Sequence, residues 1–234
     1  MPIEPTCREN SGMSGRTLSR YSSTMEISAL ETWWLQTIDL FGIAVFAASG
    51  ALEAARARQT LVTFAFFALV TGVGGGTVRD LLIGAPVFWV HDWRVAAVCL
   101  ASAVLIWVSP QRLWRGRAVD WFDAAGLAVY AVFGAAKALG LGVPALPAIV
   151  MGVITACVGG IIRDVLAGVP SILLRPEIYV TAAALAATSF VALVFLGVPV
   201  IGAAGAGAAA GFGLRALAIA RGLSIPAYRG KLDD

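Results

Sequence analysis

The chain is patterned as long apolar runs rather than as an alternation of polar and apolar positions. From Trp33 onward the runs fall near Leu35–Ala54, Thr60–Leu82, Val95–Val108, Trp121–Leu139, Ala145–Ala167, Ile178–Leu196 and Pro199–Ala220. Most approach or exceed the roughly 20 residues that carry a helix across a bilayer, so seven transmembrane helices are expected. The third run is short, but Trp93 and Trp107 stand at its two ends, where interfacial aromatics belong. Turn signals separate the runs: Arg56-Ala-Arg58-Gln59, Gly84-Ala-Pro86, Ser109-Pro110, Gly142-Val-Pro144, Gly168-Val-Pro170 and Gly197-Val-Pro199. Continuous runs exclude a β-barrel, whose strands alternate. The segment Met1–Thr24 is polar, lacks the apolar core of a signal peptide and reads as a mobile tail, with Met13 and Met25 as alternative starts. The resulting plan is a tail over 1–30, three helices over 31–114, three over 115–197, a seventh helix over 198–220 and a cytoplasmic tail over 221–234.

Composition sharpens this picture. Only 13% of the 234 residues are charged and 59% are hydrophobic, with a mean hydropathy of +0.84, whereas a soluble domain carries about a quarter charged residues. The fold class is therefore an all-α integral membrane protein, and a cytosolic enzyme, a disordered scaffold and a secreted cysteine framework are excluded. The net charge of +3 is too small and scattered for nucleic acid. Cys7, Cys99 and Cys157 lie far apart without CxxC spacing, and His91 is the only histidine, so no metal, disulfide or cofactor is expected. Gly72-Val-Gly74 opens like a nucleotide loop, but no Gly-Lys-Ser/Thr follows.

Charge also orients the chain. Arg56, Arg58, Arg112, Arg115, Arg117, Arg175, Arg215, Arg221, Arg229 and Lys231 collect on the side of the C-terminus. Arg94 and Lys137 lie on the other side, with Arg8, Arg16 and Arg20 in the tail. The positive-inside rule then places the C-terminus in the cytoplasm and the N-terminus outside, in a multi-pass protein of the inner (plasma) membrane.

The chain also repeats itself. Asp39-Leu-Phe-Gly42-Ile-Ala44-Val45-Phe-Ala47-Ala-Ser-Gly50-Ala51 aligns with Asp123-Ala-Ala-Gly126-Leu-Ala128-Val129-Tyr-Ala131-Val-Phe-Gly134-Ala135. Thr71-Gly-Val-Gly74-Gly75-Gly76-Thr-Val-Arg79-Asp80 aligns with Thr155-Ala-Cys-Val-Gly159-Gly160-Ile-Ile-Arg163-Asp164. One ungapped offset of 84 residues relates every pair, through to Pro86 and Pro170. Three helices separate each residue from its mate, and three is odd, so the halves cross the membrane in opposite senses: an inverted three-plus-three repeat with one helix appended.

Two features of the repeat carry candidate chemistry. Gly74-Gly75-Gly76 and Gly159-Gly160 lie deep in the second and fifth helices, where consecutive glycines let a helix kink or unwind. Unwound backbone at that depth must line protein or water, and its carbonyl oxygens would favour a cation; close helix packing is the other role open to these glycines. Arg79 and Asp80 are neighbours and are not expected to face each other, nor are Arg163 and Asp164. The expected ion pairs are therefore interhelical, Asp39 with Arg79 and Asp123 with Arg163. Glu53 aligns with Lys137, so this pair of mates breaks the symmetry in charge and is a candidate for polarising the path or sensing voltage. Ala203, Gly207 and Gly211 precede Arg215 at four-residue spacing, which suits helix contact within or between protomers.

With these motifs the chain, from about Ile38 to Ala220, resembles the prokaryotic branch of the trimeric intracellular cation (TRIC) channel family. The resemblance rests on Gly74-Gly75-Gly76-Thr-Val-Arg79-Asp80, on Gly159-Gly160-Ile-Ile-Arg163-Asp164 and on the layout of three, three and one helices. It implies a homotrimer in membrane lipid, each protomer with a pore lined by the glycine-bearing second and fifth helices and conducting K+ or other monovalent cations such as Na+. Val158 stands where the first motif has Gly74, which implies a milder second kink. An alternating-access carrier for a small solute such as an amino acid would use the same repeat, and a non-transporting assembly protein is a third reading.

Overall fold

Helix boundaries follow from chemically marked ends. Thr60 caps one helix through the Thr63 N–H at 3.5 Å, Asp92 caps another through the Arg94 N–H at 3.0 Å, and Pro144 and Pro199 precede two more. At the other ends, Gly84 and Gly168 take left-handed φ values of 68° and 67°. This conformation lets the Ala85 N–H reach the Asp80 carbonyl at 2.9 Å and the Val169 N–H reach that of Asp164 at 3.1 Å, closing two helices identically.

The computed structural model describes residues 29–110, 114, 117–174 and 177–224, with side chains from Asp39 onward. Among them are seven α-helices: α1 (Ala29–Arg56), α2 (Leu61–Leu82), α3 (Trp93–Val108), α4 (Ala118–Gly140), α5 (Ala145–Leu166), α6 (Val180–Phe195) and α7 (Val200–Arg221), with a 3-10 turn at Ile172–Leu174 before α6. Helix α1 starts six residues before the predicted Leu35. The tail with Cys7, Met13 and Met25, its arginines Arg8, Arg16 and Arg20, and the rim residues Arg112, Arg115, Arg175, Arg229 and Lys231 lie outside the described residues. All packing below lies within residues 38–234.

Four helices, α2, α4, α5 and α7, are long and apolar enough to cross a membrane. The 16-residue α3 and α6 reach only about 24 Å at 1.5 Å per residue, less than a roughly 30 Å hydrocarbon core. Side chains sort by size across the molecule. The interior is dominated by alanine, as at Ala47, Ala51, Ala128, Ala131, Ala156 and Ala186, while Val62, Leu105, Leu146, Ile201 and Leu196 face outward. That distribution suits lipid, because hydrocarbon tails are as apolar as leucine and only close approach of small residues holds the helices together.

The inverted repeat is visible in atomic contacts. A Cβ placed on Gly75 would collide with the Thr155 carbonyl of α5, and one placed on its mate Gly159 would collide with the Thr71 carbonyl of α2. Since Thr71 precedes Gly75 while Gly159 follows Thr155, α2 and α5 cross antiparallel, each with its glycine against the other's threonine. A second reciprocal pair marks the same axis: Gly42 abuts the ring of Tyr130, its mate Gly126 abuts the ring of Phe46, the mate of Tyr130, and those two rings touch at 5.4 Å between centroids. Helix α7 lies on α4 and α6; Gly207 and Gly211 meet Ala186, Phe190 and Ala182 of α6, so that small-residue face is filled within the protomer.

Candidate functional site

The glycine crossing corrects one expectation. Both α2 and α5 continue as α-helix through Gly74-Gly75-Gly76 and Gly159-Gly160, so no unwound segment offers freed carbonyls. The glycines instead bring two helix backbones into contact, which any side chain at Gly75 or Gly159 would prevent. Residues 71–76 are all buried, and the Thr71 hydroxyl there has no hydrogen-bond partner. Its mate Thr155 donates to the Met151 carbonyl at 2.6 Å.

On either side of the crossing stand two charge clusters, with Arg79 and Arg163 about 18 Å apart along the helices at 1.5 Å per residue. In the second repeat, Arg163 is 3% exposed and uses every arm of its guanidinium. Its Nε and Nη2 donate to Asp164 Oδ1 at 2.9 and 2.8 Å. Its Nη1 donates to Asp123 Oδ1 at 2.9 Å and also to the Ser49 hydroxyl of α1. Asp164 uses its other oxygen to hold the Ile172 N–H at 2.8 Å, which fastens the chain after α5 over the helix end. The Tyr179 hydroxyl is buried against Gly160 beside this cluster without a well-formed hydrogen bond. Above its ring, at 5.3 Å, lies Arg215 of α7, which donates to Glu177 Oε2 at 2.7 Å and to the Ile178 carbonyl at 3.2 Å. Arg215, expected on the cytoplasmic rim, is thus a buried tie between α7 and the segment before α6.

In the first repeat the motif is the same and its surroundings differ. Arg79 Nε and Nη2 reach Asp80 Oδ1 at 2.9 and 2.8 Å, and Asp80 Oδ2 holds the Phe88 N–H at 3.0 Å, the mate of the Ile172 contact. Lys137 of α4 donates to both Asp80 oxygens at 2.8 and 3.0 Å. The remaining Arg79 arm, Nη1, is buried with no partner, and the guanidinium is flanked by the rings of Phe133 at 5.7 Å and Phe88 at 5.9 Å. Asp39, the expected partner, is engaged elsewhere: the Tyr130 hydroxyl lies 2.9 Å from its Oδ1 and 3.0 Å from its carbonyl oxygen.

These contacts revise the predicted pairing. Asp123 and Arg163 meet, and Asp39 and Arg79 do not. Both neighbouring pairs, Arg79–Asp80 and Arg163–Asp164, do bond, because the long arginine side chain curls back to a carboxylate already anchored by the following loop. Glu53 and Lys137 share no partner: Glu53 meets Arg56 of its own helix at 3.3 Å, whereas Lys137 bridges to α2. The sequence reading passed over Ser49, Phe88, Phe133, Tyr130 and Tyr179. The repeat alignment held the signal for three of them, since Ser49 aligns with Phe133 and Phe46 with Tyr130 at the offset of 84. Among the described residues no group of His, Cys, Asp and Glu could hold a metal.

Known proteins share this architecture. The sequence profile described as glycine transporter matches residues 36–111 and again 120–195, one match per repeat. A UPF0126 membrane protein of Vibrio cholerae is 47% identical over 161 residues, 66% of this chain and 66% of its own length. The inner membrane protein YadS of Escherichia coli K12 is 43% identical over 154 residues, 64% of this chain and 72% of its own. Among solved structures, a TRIC trimeric intracellular cation channel orthologue from Rhodobacter sphaeroides is 45% identical with a TM-score of 0.75, covering 80% of this chain and 97% of that one. A chain from a study of conductance through TRIC cation channels is 26% identical with a TM-score of 0.75, covering 84% and 98%. The protein is therefore an integral membrane protein and not an enzyme, and the chain belongs to the glycine-transporter-profile family that contains the prokaryotic TRIC channels.

Proposed function

We propose that the chain is a passive channel for monovalent cations, potassium foremost, acting as a homotrimer with a path in each protomer beside the α2–α5 crossing. The observation that carries this reading is the antiparallel glycine crossing with a buried arginine–carboxylate cluster beyond each end. It joins a backbone-to-backbone helix contact to buried charge on both sides of it, and similarity to proteins titled as cation channels supports it. Because the backbones touch at Gly75 and Gly159, a path there opens only when α2 and α5 separate. The buried arginines act as supports beside the path, since a cation avoids fixed positive charge at its narrowest point. The Thr71 and Thr155 carbonyl oxygens lie at the crossing, while their hydroxyls pack against Gly50 and Gly134. Glu53 and Lys137 make the two entrances unlike in charge. The protein lies in the inner membrane with its C-terminus in the cytoplasm.

Purified protein in a planar bilayer should give discrete unitary currents that reverse near the potassium equilibrium potential. Gly75→Leu or Gly160→Leu should change them more than Gly213→Leu, since Gly213 has open space around it; equal, small effects would remove the path from the crossing. A second reading, a carrier for a small amino acid, is favoured by the description of the matching profile. Silent bilayers together with saturable uptake of glycine into proteoliposomes would establish that reading instead.

A further inference from the structure

The two repeats are related residue by residue, so each difference between mates is a difference of state or of design. At the axis itself the difference is one oxygen atom. Phe46 and Tyr130 are mates, their rings touch at 5.4 Å, and each is received by a glycine, Gly126 and Gly42, that is the mate of the other. Only Tyr130 carries a hydroxyl, and that hydroxyl bonds Asp39. Asp123, the mate of Asp39, pairs with Arg163 Nη1 at 2.9 Å, with the Tyr179 phenol beside it at Gly160. Arg79 Nη1, the mate of that same nitrogen, is buried and bare. Arg79 and Asp39 are linked through adjoining rings: Phe133 lies 5.7 Å from the Arg79 guanidinium and 5.9 Å from the Tyr130 ring whose hydroxyl bonds Asp39.

From this arrangement we infer that Tyr130 is a positioning residue whose hydroxyl competes with Arg79 for Asp39, keeping Asp39 and Arg79 apart while their mates Asp123 and Arg163 are paired. A buried guanidinium nitrogen without an acceptor is unfavourable, and a carboxylate brought to it would relieve it. What opposes that move is the phenol bond to Asp39, together with the Phe133 ring that fills the place of Ser49. In an inverted repeat, the conformation opposite to the present one is reached when each half adopts the arrangement of its mate. That exchange has a specific local content in the first repeat: Asp39 leaves Tyr130 for Arg79. The inference is independent of whether the cargo is a cation or a neutral solute, because it concerns only which repeat is closed.

The test is a double-mutant cycle on the full-length protein in mixed micelles, with unfolding equilibrium as the readout. In the parent, D39N and R79Q should couple by less than about twofold, since the two side chains are not paired, whereas D123N and R163Q should couple by about tenfold or more. In the Y130F background the D39N–R79Q coupling should rise to about tenfold. The mirror change F46Y, which offers Asp123 a phenol, should lower the D123N–R163Q coupling. A structural role for the Tyr130 hydroxyl alone would weaken the fold without altering either coupling, and that result overturns the inference, as does strong D39N–R79Q coupling in the parent. If R79Q does not fold, infrared difference spectra against D39N give the same answer. The Asp39 carboxylate band should shift in Y130F as its partner changes from phenol to guanidinium, and an unshifted band refutes the exchange.

Discussion

The Arg163 and Arg79 clusters are made from one motif read in opposite directions, and they end in different chemistry. Arg163 meets two carboxylates and a hydroxyl. Arg79 meets one carboxylate, shares it with Lys137, and presents its last nitrogen to aromatic rings. The motif residues cannot account for this, because they are the same. The difference comes from the partner repeat: α1 supplies Ser49 to Arg163, while α4 supplies Phe133 and Lys137 to Arg79 and Asp80. Each cluster is completed by the first helix of the other half, so neither half carries its own chemistry alone. A symmetric scaffold thereby acquires two unlike ends, one sealed by paired charge and one held by a single shared aspartate.

This contrast can be broken at several points. The largest effect is expected from R163Q, which strands buried Asp123 and should lower unfolding free energy by about 3–5 kcal/mol. R79Q should cost clearly less, because Lys137 remains on Asp80; equal losses in chemical unfolding would show that the clusters are energetically alike. Next come G75A and G159A, each forcing a methyl group into the carbonyl of the opposing helix and costing about 1–3 kcal/mol. These mates should lose similar amounts, and G213A, with open space around it, should stay within about 0.5 kcal/mol. A large gap between the two crossing variants would mean that the crossing is less symmetric than its contacts. Y130F removes one buried hydrogen bond and should cost about 0.5–1.5 kcal/mol, while F46Y tests the opposite side of the axis.

The smallest effect lies outside the membrane-spanning segments. The Arg94 guanidinium holds the Asp92 carboxyl below its ordinary value of 3.8. A depressed folded-state value means that the stabilisation is present above pH 3.8 and is lost as pH falls through the folded value. The pair is exposed, so thermal melting should show a small loss in that acid range that fades at high salt and is absent in D92A. A loss of similar size in D92A would place the acid sensitivity elsewhere.

Much of the fold was legible because membrane burial demands long apolar runs with marked ends. Gly84, Pro144 and Gly168 announced where helices start and stop, and Asp39, Asp123, Arg79 and Arg163 fell into register at a single offset. The candidate site was legible only in part. Gly75 and Gly159 stood out, but their effect depends on what lies across from them, and Thr155 and Thr71 are 80 and 88 residues away in sequence. Asp39 was assigned to Arg79 by symmetry with Asp123; the phenol of Tyr130 reaches it first. Arg215 read as a rim charge because hydropathy does not reveal that Glu177 and Tyr179 fold over it.

The sequence by itself determined the number of helices, their opposed halves and the positions where charge enters the membrane. Those follow from hydrogen bonding and transfer energies, which act on each segment alone. The tertiary structure decided which charges meet. Buried ion pairs depend on distances of a few ångströms between helices remote in sequence, and there a single hydroxyl, present on Tyr130 and absent from Phe46, is enough to separate two otherwise equivalent halves.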